Sequence, residues 1–356
     1  MRGARMTKAS ARGVALLLAG SLALAACASD EEPEAGGDTG GGAAAENLEV
    51  GLAYDVGGRG DQSFNDSAYA GVEAAVEALG GEVQEFSPNE DGSDRVEGLA
   101  NLAQEGFDPV IAVGFAYGES IAEVAEEFPD TTFAIVDSSV AELGVENVTG
   151  LLFAEEQGSF LAGAAAALKS ETDHIGFVGG VEMPLIQKFE AGYVAGAKAV
   201  NPDIQVDVEY ISPAGDFSGF GDPARGQILA RSMYDAGADI VYHAAGGSGT
   251  GVFQAAAETG NRAIGVDSDQ YQTVDDPELQ AVIMTSMLKR VDNAVEGFIT
   301  DYSEGNVQGG VDITNDLASD GVGLATSGGQ IDDIQAQIEE YRQQIIDGEI
   351  EVPTTP

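Results

Sequence analysis

Short runs of β-branched and aromatic residues alternate with segments whose apolar positions recur every three or four residues, from Leu48 to about Thr285. The runs predict strands over 48–54, 82–86, 110–115, 132–137, 149–153, 174–178, 205–211, 239–243, 263–267 and 281–285. The segments between them predict helices; Ala68, Val72, Ala75, Val76 and Leu79, for example, share one helical face. Stop and start signals agree. Pro129 follows Phe128 and Pro202 follows Asn201, while Asp222-Pro223 has the form of an N-cap with proline at the first helical position, opening a helix over 224–236. Repeated β-α-β order needs long crossovers, hence parallel sheets covered by helices on both faces. So many strands divide more readily between two sheets than within one. The expected fold class is α/β, with two doubly wound parallel-sheet lobes.

The break between lobes is expected after Phe153, where a helix rich in small residues, 158–168, begins a second series. The chain is expected to return to the first lobe near Ser286 and to cross again near Gly310, so that three stretches of chain form a hinge. That assigns 48–153 plus 286–310 to the N-terminal lobe and 154–285 plus 311–356 to the C-terminal lobe. Ile331, Ile334, Ile338, Tyr341 and Ile345 mark a closing amphipathic helix docked on one lobe. No internal repeat of short period is visible.

The first 47 residues break this pattern. Arg2, Arg5, Lys8 and Arg12 precede an apolar run from Val14 to Leu22, and Leu24-Ala25-Ala26-Cys27 ends it with small residues and the only cysteine of the chain. This is the form of a bacterial lipoprotein signal over 1–26, in which the thiol of Cys27 takes a diacylglycerol and its amine, freed by cleavage before residue 27, can take a further acyl chain. The expected location is therefore the extracytoplasmic face of the cell membrane, anchored rather than spanning. Residues 28–47, rich in Gly, Ala and acids without a bulky apolar side chain, predict a flexible tether.

Charge narrows the partners. The chain carries 15 Lys+Arg against 61 Asp+Glu, a net charge of −46, and loss of the signal would remove four more bases. A nucleic-acid partner is excluded by that field, and anionic ligands are disfavoured within about 8 to 10 Å of exposed charge. A solvated surface suited to high ionic strength is the plain alternative reading of the acid excess.

In doubly wound folds ligands meet the carboxyl ends of strands, so the loops there carry the chemistry. After the first strand, Asp55-Val56-Gly57-Gly58-Arg59-Gly60-Asp61-Gln62-Ser63-Phe64-Asn65 brings Phe64 and Asn65 to a helix mouth with free amides. A phenylalanine beside an asparagine suits a flat ring that both stacks and hydrogen-bonds; a staple for its own helix is the alternative for Phe64. Ala244-Ala245-Gly246-Gly247-Ser248-Gly249-Thr250-Gly251 opens another helix without either phosphate-loop spacing, so its amides would meet a ribose or a base. Asp267-Ser268-Asp269 could hold a metal or grip a diol. The two histidines, His174 and His243, lie in or beside strands and are expected to be hydrogen-bonded structural residues. No nucleophile elbow is present, and neither cofactor nor metal is expected.

The ordered strings DVGGRGDQSFNDSAYAG, VGFAYGESIAEVAEEFPDTTFAIVDS, NVTGLLFAEEQGSFLAGAAAAL, DPARG, HAAGGSGTGVFQAA, GVDSDQ and TSMLKRVD resemble the basic membrane protein family, which includes the purine nucleoside receptor lipoproteins of ABC importers. The resemblance spans Leu48 to Ala325 and implies the type I periplasmic-binding-protein fold. It implies a monomeric binding protein, not an enzyme, that delivers a nucleoside to a membrane permease. It also implies residue roles: Phe64 and Phe220 stack on the two faces of the base, with Phe217 competing for the second place. Asn65 and Asp137 read its edge, and Asp55 lies near the ligand. Asp267 holds the ribose hydroxyls, with Lys289 beside it and backbone contacts from Gly246 and Gly247. An extracellular nucleoside-processing enzyme and a sensor lipoprotein without a transporter are the other expectations.

Overall fold

The computed structural model describes residues 48–89 and 91–356. The signal, Cys27 and the tether lie outside the described residues. Twelve strands form two six-stranded sheets. The first contains β1 (Leu48–Ala53), β2 (Gly81–Phe86), β3 (Val110–Ala112), β4 (Phe133–Val136), β5 (Val148–Phe153) and, from later in the chain, β11 (Val311–Asn315). The second contains β6 (His174–Val181), β7 (Gln205–Ser212), β8 (Ile240–Ala244), β9 (Arg262–Asp267), β10 (Ile283–Lys289) and β12 (Val322–Leu324).

The two sheets share one plan. Their orders are β2-β1-β3-β4-β5-β11 and β7-β6-β8-β9-β10-β12, so β4 and β9 hold equivalent places, as do β5 and β10. Pairing is parallel throughout except for β12, which runs antiparallel to β10. The central strands are apolar on both faces because helices cover both; β3, β4 and β8 are buried at every position.

The chain passes between sheets three times, after Phe153, after Lys289 and after Asn315. The sequence put the second and third passages near Ser286 and Gly310. In the structure β10 stays in the second sheet up to Lys289, and the chain enters the first sheet again as β11 before leaving it. The cause is the two strands the alternation did not reveal. β11 is an edge strand with Val311 and Ile313 exposed, and of the three residues of β12 only Val322 is buried, so neither carries the apolar run of a central strand. The helix 291–303, which follows the second passage, packs on the helix 64–79 of the first lobe.

The small-residue helix extends over 155–169 and lies against the helix 184–200. Its composition has a steric cause: a Cβ on Gly163 would come within 1.9 Å of the Tyr193 carbonyl, and one on Gly196 equally close to that of Phe160. The helix 335–346 buries Ile338 and Ile345 and packs on 155–169, where Tyr341 meets Phe160 edge to face. Asp222 caps the helix 223–236 through the amide of Arg225 at 2.9 Å, as its sequence form predicts. No helix among the described residues is long and apolar enough to cross a membrane.

His174 meets its expectation, bonding Asp207 at 2.8 Å. His243 does not. Both its ring nitrogens are buried without a hydrogen-bond partner, the ring packs on Phe253, and burial lowers its pKa to about 4, so it is held neutral. A strand position between Tyr242 and Ala244 gave no sign that the imidazole would be packed as an apolar ring.

Candidate functional site

The carboxyl ends of both sheets face one cleft, which encloses about 570 Å³ of empty space including its mouth. Asp55, Phe64, Asn65 and Asp137 line it from the first lobe; Phe220, Gly246, Gly247, Asp267 and Lys289 line it from the second. All nine residues singled out in the sequence thus border a single cavity. Of the two phenylalanines that competed for one role, Phe220 lines the cavity, while Phe217 packs edge to face on Phe115 with ring centroids 5.4 Å apart.

The loop after β1 is organised by a residue the sequence reading passed over. Asp61 accepts from the backbone amides of Ser63, Asn65 and Asp66, at 3.0, 2.9 and 3.1 Å. The amides of Asn65 and Asp66 in the first turn of the helix 64–79 are therefore occupied rather than free, which corrects the expectation for this loop. The Asn65 Oδ1 accepts from the Asp55 amide at 2.9 Å, leaving its Nδ2 without a protein acceptor among the described residues. Asn65 is thereby fixed as a donor toward the cavity.

Asp137 and Asp267 occupy equivalent positions, just past β4 and at the end of β9, and both adopt left-handed backbone angles, φ 67° and 64°. Such angles are costly for a residue with a Cβ, and strain of this kind concentrates where a side chain must be aimed. Asp137 Oδ2 accepts from Lys289, and its Oδ1 is buried with no partner. Burial raises the Asp137 carboxyl to about 6 against the pull of Lys289. It likewise raises Asp55 to about 6 and Asp267 to about 7.

Lys289 is the counter-charge to this acidic wall. Only 2% exposed, it bonds Asp137 at 2.5 Å and Glu155 at 3.2 Å, and its ammonium lies 5.2 Å from the ring of Phe64, 5.1 Å from Phe153 and 5.5 Å from Phe189. Burial alone would lower its pKa, but Asp137, Glu155 and Asp267 outweigh that and hold it above the ordinary lysine range. Glu155, 1% exposed at the start of the helix 155–169, also receives Lys188 at 3.1 Å. Sequence reasoning missed Glu155, because the helix was expected to begin at 158 and left this acid in the stretch before it.

It missed Phe115, Leu185, Ile186 and Phe189 as well, which complete the apolar lining. Ile186 and Phe189 sit at helical spacing and read as core. The cavity therefore offers aromatic and aliphatic walls, acceptors at Asp55, Asp137 and Asp267, donors at Asn65 and Lys289, and half-buried backbone at Gly246 and Gly247. One ammonium already shared by two carboxylates is poor provision for a phosphate.

Residues 49–356 match a family model, Bmp, described as ABC transporter substrate-binding protein PnrA-like. The chain is 34% identical over 356 residues to the ABC transporter nucleoside-binding protein BmpA of Lactococcus lactis, covering 96% of this chain and 97% of the relative. It is 34% identical over 289 residues to a lipoprotein of Pyrococcus abyssi, covering 78% of this chain and 69% of that one. Among solved structures, an ABC transporter system solute-binding protein of Aeropyrum pernix superposes with TM-score 0.74 at 29% identity, covering 86% of this chain and 93% of the other.

Proposed function

This chain belongs to the Bmp family of PnrA-like ABC transporter substrate-binding proteins, and we propose that within it the protein captures a nucleoside, a purine nucleoside above all, and hands it to a membrane permease. It is a binding protein rather than an enzyme. The observation that carries the ligand reading is the composition of the cleft: Phe64 and Phe220, contributed by opposite lobes, border the same cavity as Asn65 and Asp137 and as Asp267 and Lys289. Aromatic faces hold a heterocycle, the amide and the first carboxylate read its edge, and the second carboxylate takes sugar hydroxyls. Stacking adds roughly 1 to 3 kcal/mol for a base.

Lobe closure buries the ligand and turns two separate surfaces into the one a permease recognises. The signal ending at Cys27 supports attachment by a lipid, palmitate among its chains, at the extracytoplasmic face; the protein acts there as a monomer. The test is mass spectrometry of the protein purified without denaturant. A co-purifying purine nucleoside is the expected result, and a co-purifying sugar, amino acid or peptide in its place would reject the reading.

A further inference from the structure

Ser63 stands at the cleft without a role in the reading above. It is fully buried, on the first lobe, yet its hydroxyl donates to Asp267 Oδ2 at 2.5 Å on the second. Its position is fixed from all sides. The Ser63 amide is held by Asp61, and its carbonyl accepts from the Ser67 amide and from the hydroxyl of Ser268, at 3.0 Å each. Beside it the Gln62 carbonyl accepts from Gln270 Nε2 at 3.1 Å. Asp267 Oδ1, in contrast, meets no protein donor among the described residues, and Asp267 lines the cavity.

We propose that Ser63 is a positioning residue that divides Asp267 between lobe closure and ligand: it engages Oδ2 from the opposite lobe and leaves Oδ1 as the oxygen offered to the sugar. This rests on the nucleoside reading and sharpens it. A carboxylate free at both oxygens can accept from the 2′ and 3′ hydroxyls together. With Oδ2 engaged by Ser63, Oδ1 alone faces the sugar, and the grip that takes the 2′ and 3′ hydroxyls one on each oxygen is given up. The closed form and the sugar contact then support each other, because Ser63 reaches Asp267 only when the lobes meet.

The experiment is calorimetric titration of the wild type, Ser63→Ala and Ser63→Thr with whichever of guanosine, adenosine and inosine binds most tightly, and with its 2′-deoxy and 3′-deoxy forms. In Ser63→Ala the freed oxygen takes the second hydroxyl, so the preference for the ribonucleoside over at least one deoxy form should widen by about tenfold. Ser63→Thr, which keeps the hydroxyl, should retain the wild-type ratios. A purely structural serine would weaken all three ligands alike, so Ser63→Ala with both ratios unchanged within about twofold overturns the proposal and leaves nucleoside binding standing. Failure of the wild type to bind any nucleoside would remove the parent reading and this proposal with it.

Discussion

Lys289, at the end of β10 in the second lobe, donates to Asp137, just past β4 in the first, at 2.5 Å, so that the buried ion pair of the cleft joins the two lobes. The same ammonium is braced by Glu155 and set against Phe64. Its removal does more than delete a contact, because it leaves two buried carboxylates facing one another.

Lys289→Met should therefore destabilise the protein by about 3 kcal/mol or more, the typical cost of stranding a buried charge. Denaturant unfolding measures this, and an unchanged midpoint would show that the pair contributes nothing. Lys289→Met combined with Asp137→Asn should recover part of the loss, since the repulsion is relieved.

Phe220→Ala should weaken nucleoside binding by roughly 1 to 3 kcal/mol, the value of one stacked face, and Phe64→Ala by a similar amount. Phe217→Ala should cost less, because its ring packs on Phe115 and does not line the cavity. Dissociation constants from calorimetry decide the matter; a larger loss for Phe217 than for Phe220 would reverse the assignment.

The carboxyls of Asp55, Asp137 and Asp267 are raised to about 6, 6 and 7 by burial in the closed cleft, from an ordinary 3.8. A group whose pKa is higher in one form binds protons better there, so protonation favours closure. The contribution is complete below pH 3.8 and is lost as the pH rises through 6 to 7. Small-angle scattering of the ligand-free protein should thus show more closed molecules at about pH 5 than at about pH 8. The opposite trend would mean that the carboxyls are not desolvated by closure.

With 61 acidic and 15 basic residues, surface repulsion opposes the folded state. Added salt screens it, so the melting temperature should rise as sodium chloride increases from low to physiological strength and beyond. A fall on adding salt would show that attractive surface pairs dominate.

The sequence was informative where chemistry and periodicity coincide. Phe64 and Asn65 follow a glycine-rich loop at a helix start, and Asp267 ends an apolar strand, so their residue types and the fold rule for strand ends pointed to one cleft before any coordinate. The type of fold followed from the same alternation. What stayed hidden depends on contacts between distant segments. Lys289 pairs with a residue of the opposite lobe, and Ser63 with Asp267, at separations no local pattern records. Asp61 looked like one acid among many until its three amide partners gave it a function in shaping the loop. β11 and β12 were missed because an exposed edge and a strand with one buried position lack the buried apolar run that marks β3 or β8. His243 was misjudged because nothing along the chain tells an imidazole with partners from one packed among apolar side chains.

Whether the cleft holds a nucleoside, and not its phosphate, is decided by titrating the purified protein with guanosine, adenosine and inosine and with their 5′-monophosphates by calorimetry. The nucleosides should bind, and each monophosphate should bind at least about a hundredfold more weakly, since its charge would meet Asp55, Asp137 and Asp267 with one committed ammonium to balance it. Monophosphates binding as tightly as nucleosides, or no purine nucleoside binding at all, would contradict it.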